Sequence, residues 1–331
     1  MKRTILVTGV SRYLGGRMAA LLAADPAAEV IGVDVVAPQN PIPGVAFVRA
    51  DIRNPVIAKV MGEARVDTVV HMGVIATPKQ AGGRSTMKEI NVIGTMQLLA
   101  ACQRTPALKH LVVKSTAAVY GAGPRDPALF TEDMEPRHRP SSGWAKDSVE
   151  VEAYVRGFSR RRSDVTVATL RLANVIGPAV RTGMTEYLTL PVVPTVLGFD
   201  PRLQFVHEDD ALAAIGRAVE VRAHGTVNVA GAGVVPLSQV LRILGRPGIA
   251  VPAGLVPYLG RAIASRGLAD LSGEMIRLLT YGRALDTSAA AALLGFSPRW
   301  TSLAAVEDLA AARTDRSASP VGGPVREVRS A

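Results

Sequence analysis

The sequence predicts a doubly wound α/β fold, a parallel sheet covered by helices on both faces, followed by a smaller C-terminal α/β domain. Three observations predict it. Short β-branched runs alternate with helical apolar patterns over residues 1–176. A glycine-bearing turn joins the first such run to the first helical pattern. The rhythm then breaks after Gly177 and Pro178, where Pro191, Pro194 and Pro201 interrupt the spacing. Strands alternating with helices imply parallel pairing and right-handed crossovers, and 331 residues are enough for two cores.

Residues 4–8 read as the first strand, and the helical pattern through Met18, Leu21 and Leu22 ends before Pro26. Further strands are expected at 30–35, 45–48, 68–71, 111–114 and 165–170, with helices at about 55–62, 87–104 and 145–162. The second domain is expected to span 177–313, with 203–225 packing back on the first. Its helices are expected at about 209–221, 237–244, 256–264 and 272–279, around one strand at 226–229. Residues 314–331 are polar and aperiodic and read as a disordered tail.

Composition narrows the function classes. Hydrophobic residues make up 48%, but no run of eighteen stays apolar and uncharged, so no membrane partner is expected. The opening MKRTILVTGV has the basic start of a signal peptide, but its apolar run is short, β-branched and leads into glycine, as a first strand does. The one cysteine, Cys102, excludes intramolecular disulfides and Cys-rich metal sites and fits a reducing cytoplasm; no metal is expected. The net charge of +10 would suit an anionic partner if it were localised. The clearest cluster, Arg160 to Arg162, lacks the interleaved aromatics that stack bases, so a solvated Arg-rich surface is preferred over nucleic acid.

The segment VTGVSRYLGG follows a strand and opens a helix, which points backbone N–H groups at an anion such as a pyrophosphate. Gly9 permits the tight turn and Gly15 the close approach of helix and strand, the fingerprint of a Rossmann-type dinucleotide site. Asp34 stands about twenty residues on, at the end of the second strand, where a carboxylate binds the adenosine ribose and repels a 2′-phosphate. NAD is the cofactor that this arrangement favours.

VTGVSRYLGG, VIGVDV, RADIRNP, HMGVIA, EINVIGTMQLLAAC, STAAVYG, PSSGWAKDSVE, LRLANVIGP, QFVHEDDALAA and TVNVAGAG occur in that order across most of the chain. In this order they resemble the extended short-chain dehydrogenase/reductase family, the NAD-dependent sugar-nucleotide epimerases and dehydratases. The resemblance implies that Asp51 and Ile52 contact adenine, that Met72 and Gly73 line the dinucleotide, and that Asn91 braces the central helix. It implies a nucleotide-sugar substrate and allows a homodimer through the helices that carry Asn91 and Lys146. The family's middle glycine is absent: Arg12 and Tyr13 stand in its place before Leu14, and Arg12 can pair with phosphate, including a 2′-phosphate. Arg12 and Asp34 thus point in opposite directions, and Asp34, which addresses the ribose directly, is preferred.

Hydride transfer to or from an alcohol carbon needs a base, an orienting donor and a cation that favours the ionised base. In the family these are tyrosine, serine or threonine, and lysine. Thr116 aligns with the donor and Lys146 with the lysine, but the tyrosine's place, four residues before Lys146, is held by Ser142. A serine hydroxyl loses its proton far less readily than a phenol. His138, in the loop before, is either a recruited base or an exposed loop histidine, the latter preferred. Tyr120 reads as structural or pocket-lining and Tyr154 as helix packing. Ala117 and Ala118 replace the acidic pair of the family's 4,6-dehydratases, which leaves epimerisation or carbonyl reduction. Asn174 and Arg202 are candidate contacts for the substrate's phosphates, while His207 and Asp210 read equally as a helix start. Two functions follow: an NAD(H)-dependent oxidoreductase or epimerase, preferred, or an NAD(H)-binding regulatory or scaffold protein without turnover.

Overall fold

The computed structural model describes residues 2–73, 75, 82–265, 269 and 271–318. In the first half the chain runs β1 (Arg3–Thr8), α1 (Tyr13–Ala23), β2 (Ala28–Asp34), β3 (Val45–Arg49), α2 (Val56–Glu63), β4 (Thr68–His71), α3 (Arg84–Lys88), a π-helical turn (Glu89–Gly94), α4 (Thr95–Gln103), β5 (His110–Thr116), α5 (Gly143–Arg161) and β6 (Thr166–Leu172). It continues through β7 (Asn174–Ile176), α6 (Gly183–Leu188), β8 (Val193–Val196), β9 (Arg202–Leu203), β10 (Phe205–His207), α7 (Glu208–Glu220) and β11 (Gly225–Val229). The remainder is β12 (Val235–Pro236), α8 (Leu237–Ile243), β13 (Gly248–Val251), α9 (Val256–Ser265), α10 (Gly273–Tyr281), α11 (Ser288–Leu294) and α12 (Ser302–Ala318).

Among the described residues seven strands form one sheet in the order β11-β6-β5-β4-β1-β2-β3, each neighbouring pair parallel. Its strands are apolar on both faces because both are covered. Ile5, Val7, Val112, Ala168 and Leu170 pack with α1 and α7 on one side; Leu6, Val69, Leu111, Val113 and Val167 pack with α2, α4 and α5 on the other. The strand order reverses between β1 and β4, and ligands of open α/β sheets bind beyond the strand ends at such a point. A separate core of Ile176, Met184, Tyr187, Leu203, Phe205, Val240, Leu278 and Val306 fills the second lobe.

Three expectations need correction. The strand expected at 226–229 in the second domain is β11, the edge of the main sheet, in register with β6 from Gly225↔Ala168 to Val229↔Leu172. Residues 203–225 are the crossover that brings the chain back, with α7 against α1. Helices α11 and α12 lie in segments for which the sequence predicted no helix, because their alanines give little amphipathic contrast. Helix α12 also enters the expected tail, running to Ala318, and residues 319–331 lie outside the described residues.

Candidate functional site

The loop after β1 and the loop after β4 meet at the switch point. Gly9 holds φ of +76°, and a Cβ there would stand 3.2 Å from the Gly73 Cα. A Cβ on Gly15 would fall 2.1 Å from the Gly9 carbonyl oxygen, so both glycines are required by close backbone approach. Met72 is buried beside them, its N–H donating to Thr8 Oγ1 at 3.2 Å. Leu14, at the start of α1, lines the adjoining cavity.

Asp34 closes β2 with Oδ2 accepting from the Ser11 N–H at 3.1 Å and Oγ at 2.5 Å, and Oδ1 accepting from the Val35 N–H. Arg12 caps α1 through its backbone, half-buried and within the field of Asp34; burial lowers its pKa. Tyr13 turns aside, donating to Glu208 Oε1 at 2.6 Å on α7, so it is held away by a specific partner. Asp51 is clasped by Arg53 at 2.7 Å, which keeps its carboxyl below the usual range. Ile52 abuts Gly94, where a Cβ would meet its Cδ1 at 2.8 Å. The backbone N–H groups of the turn and the helix start would hold a pyrophosphate, and the Asp34 carboxylate at the end of β2 would accept from a ribose hydroxyl.

Asn91 lies in the π-helical turn and is buried. Its side chain accepts from the Ile75 N–H at 2.7 Å and donates to the Ile75 carbonyl at 2.9 Å, tying the chain after β4 to the central helix. Beside it Asp147, fully buried on α5, receives Arg84 at 2.5 and 2.6 Å, and Arg84 also donates to the Gly143 carbonyl. Sequence reasoning missed this clamp, since a lone Arg and a lone Asp 63 residues apart carry no spacing signal.

A cavity of about 120 Å³ opens next to the crevice, with Lys114, Thr116, Trp144, Asn174 and Thr182 among its lining and Leu172, Val175, Met184 and Met275 as its apolar walls. Strand alternation turns Lys114 and Thr116 to the side of Val112, away from Leu111 and Val113. Thr116 Oγ1 accepts from the Ala118 N–H at 3.1 Å and so caps the 3₁₀ turn Ala117–Tyr120. Burial, with the nearby Arg12 charge, pushes Lys114 down to about 8. Lys114 had no place in the sequence reading, although two residues before Thr116 on a strand is a same-face position.

The residues expected to complete the relay are elsewhere. Ser142 is exposed at the start of α5, its Oγ facing Gly273, and Lys146 is exposed and absent from the cavity wall. Two residues correspond to about 200° around a helix, and Trp144 is accordingly the α5 side chain in the cavity. One turn on, Ser148 is buried and donates to the Trp144 carbonyl at 2.9 Å. A further turn on, buried Glu152 accepts from Ser115 Oγ at 2.6 Å and from Arg171 Nη2 at 2.7 Å. The inner face of α5 therefore reads 144, 148, 152, and the pattern fitted to Ser142 and Lys146 lies on the outer one.

His138 is exposed, its carbonyl and ring packed against Gly121 and Gly123. Arg202 is exposed on β9 and outside the cavity wall. Tyr120 is buried, stacked on Phe130 at 4.8 Å, accepting from Arg171 and donating to Asn228 at 2.8 Å each. Tyr154, expected in helix packing, is 40% exposed. His207 stacks on Trp300 at 4.3 Å and meets Asp308 at 3.0 Å, while Asp210 accepts from the N–H groups of Arg299 and Trp300. These two join the start of α7 to α12 and to the segment before it. Among the described residues no three His, Cys, Asp or Glu side chains cluster as a metal site, and no helix is long and apolar enough to cross a membrane.

Comparison with known proteins gives this geometry its context. An uncharacterized protein of Mycobacterium tuberculosis, Rv0501, is 45% identical over 311 residues, spanning 92% of this chain and 83% of its own. The human short-chain dehydrogenase/reductase family 42E member 1 is 26% identical over 226 residues, 64% of this chain and 57% of that protein. The fold superposes on UDP-glucuronic acid 4-epimerase from Bacillus cereus, solved with UDP-glucuronic acid and NAD, with a TM-score of 0.71 at 20% identity, over 94% of this chain and 99% of that one. The model of the NAD dependent epimerase/dehydratase family matches residues 5–230, from the first strand past the sheet's last strand, and the chain belongs to that family.

Proposed function

We propose that this protein binds NAD(H) and works as an oxidoreductase or epimerase on a nucleotide-sugar-like substrate, with hydride transfer in the cavity beside Thr116. The observation that carries this reading is the placement of Thr116, Lys114 and Asn174 around one cavity that adjoins the Gly9–Gly15 turn. When bound, NAD supplies the hydride acceptor. Thr116 Oγ1, at a strand end, orients the substrate oxygen, and Asn174 reaches a substrate phosphate. Ala117 and Ala118 supply no acid for removing water, which argues against 4,6-dehydration. The exposed Ile93 in the π-helical turn and the exposed Tyr154 on α5 support a homodimer.

One observation favours a second reading, an NAD(H)-binding regulatory or scaffold protein. The inner face of α5 presents Trp144 where a relay needs an ionisable group, with Ser142 and Lys146 outside. The deciding experiment follows nicotinamide absorbance of NAD-loaded protein challenged with UDP- and dTDP-sugars. Turnover that falls at least about 100-fold in Thr116→Ala supports the enzyme. Tight NADH binding with no redox change for any sugar, restored in Trp144→Tyr, supports the binding protein.

A further inference from the structure

Helix α9 carries apolar side chains on both of its faces. Val256 and Gly260 are buried, and a Cβ on Gly260 would stand 3.1 Å from the Leu271 Cβ, so this side packs on the second lobe. On the other side Leu255, just before the helix, with Tyr258, Leu259 and Ala262 follows the i, i+3, i+4, i+7 spacing of a second stripe. Its large members stand in water: Leu255 is 57% exposed and Tyr258 64%, and Leu259 is exposed as well. The strand pair before the helix adds exposed Ile249 on β13 and exposed Leu197 after β8, whose N–H donates to the Val251 carbonyl at 2.9 Å. A helix that is apolar all round is one that some second surface covers.

The sequence around this stripe is cationic. From Val221 to Ala269 the chain holds five arginines and no aspartate or glutamate. Arg261 on α9 is exposed, its guanidinium 4.8 Å from the centre of the Tyr258 ring. Arg242 on α8 is exposed, and Arg246 stands between α8 and β13. We infer that α9 and the β8–β13 edge dock the protein on an anionic lipid surface, with Leu255, Tyr258 and Leu259 at the acyl boundary and Arg261 among the headgroup phosphates. A helix that lies in the plane of a bilayer needs an apolar face bordered by basic residues, not the length to span. Arginine and tyrosine each join an apolar body to a polar tip, which suits the headgroup level.

Charge and chemistry favour lipid over another occupant. A second copy of this chain meeting the stripe about a two-fold axis would bring Arg261 and its neighbours against their own copies, and like charges oppose that contact. Beyond the Tyr258 hydroxyl the outer stripe offers no hydrogen-bonding side chain, whereas a protein–protein interface carries about one hydrogen bond per 100–200 Å². The acidic groups on adjoining elements are engaged: Asp200, after β8, accepts from the Ser238 N–H and Oγ, and Glu274 on α10 accepts from the Ser141 N–H. The net charge of +10 adds a long-range attraction to an anionic surface.

Sedimentation of the full-length protein with vesicles of phosphatidylcholine and phosphatidylglycerol in equal parts, against vesicles of phosphatidylcholine alone, tests this. Wild type should bind the anionic vesicles at least about tenfold more tightly than the neutral ones at low salt, and high salt should weaken that binding. Leu255→Ser combined with Leu259→Ser should weaken it at least about tenfold with circular dichroism unchanged, because both side chains already face water in the free protein. Arg261→Glu should weaken it at low salt, whereas Leu293→Ser, at an exposed leucine of α11, should bind as wild type does. Wild type that stays in solution with both kinds of vesicle overturns the inference, as does binding that the paired serine variant leaves unchanged. Self-association by light scattering that the same variant abolishes, without vesicle binding, gives the stripe to a second copy and also overturns it.

Discussion

The Tyr13 hydroxyl donates a 2.6 Å hydrogen bond to Glu208 Oε1, joining the nucleotide-loop side of α1 to the first residue of α7 across 195 positions of sequence. Glu208 Oε2 accepts from the N–H groups of Ala179 and Val180, so one buried carboxylate holds three segments together. Tyr13→Phe should cost about 1–2 kcal/mol in urea denaturation. Glu208→Ala should cost about twice that, because it also strands two backbone donors. Equal losses in the two variants would show that Glu208 acts through Tyr13 alone.

Arg171 and Glu152 form a buried pair at 2.7 Å, with Ser115 and Tyr120 completing the hydrogen bonds. Removing one partner leaves a buried charge uncompensated. Glu152→Ala and Arg171→Ala should each destabilise by about 3–5 kcal/mol. The paired replacement Glu152→Leu with Arg171→Met should cost much less than the two losses added together. Additive losses by thermal and chemical denaturation would contradict this coupling.

His71 should make the fold acid-sensitive in a defined window. Its folded value, held at about 4 by burial, lies below the unfolded value near 6.5. The unfolded chain therefore takes up the proton first, and stability is lost as pH falls from about 6.5 to about 4 and is flat in this respect above it. The loss amounts to about 3 kcal/mol. His71→Asn, which keeps polar atoms for Thr8 and Thr95, should flatten the wild-type pH dependence of unfolding over that window. An unchanged slope would assign the acid sensitivity to other groups.

Asp34 ends β2 beside the turn and should set cofactor choice. Wild type should bind NADH at least tenfold more tightly than NADPH, and Asp34→Ser should reduce that ratio at least tenfold, as read by fluorescence titration. A wild-type preference for NADPH would give Arg12 the governing role instead.

The nucleotide end of the site was legible because its signals are local. Gly9, Gly15 and Asp34 sit at fixed distances from strand ends; the structure puts the two glycines where backbone approach demands glycine and Asp34 at the end of β2. The chemical end was not, because a motif does not specify a helix's rotation. Ser142 and Lys146 match a spacing, yet the buried contacts of Ser148 and Glu152 turn that face outward and bring in Trp144. Lys114 was invisible for a related reason: a lysine in an apolar strand carries no sign of what its side chain meets.

The sequence by itself determined the element alternation, the parallel sheet and the turn that begins the nucleotide site, since periodicity and glycine placement act over a few residues. Tertiary structure decided that β11 closes the main sheet, that Tyr13 serves α7, and that Lys114 shares the cavity with Thr116. Each of these depends on contacts between residues far apart in the chain, where packing and burial choose among faces that local sequence leaves equivalent.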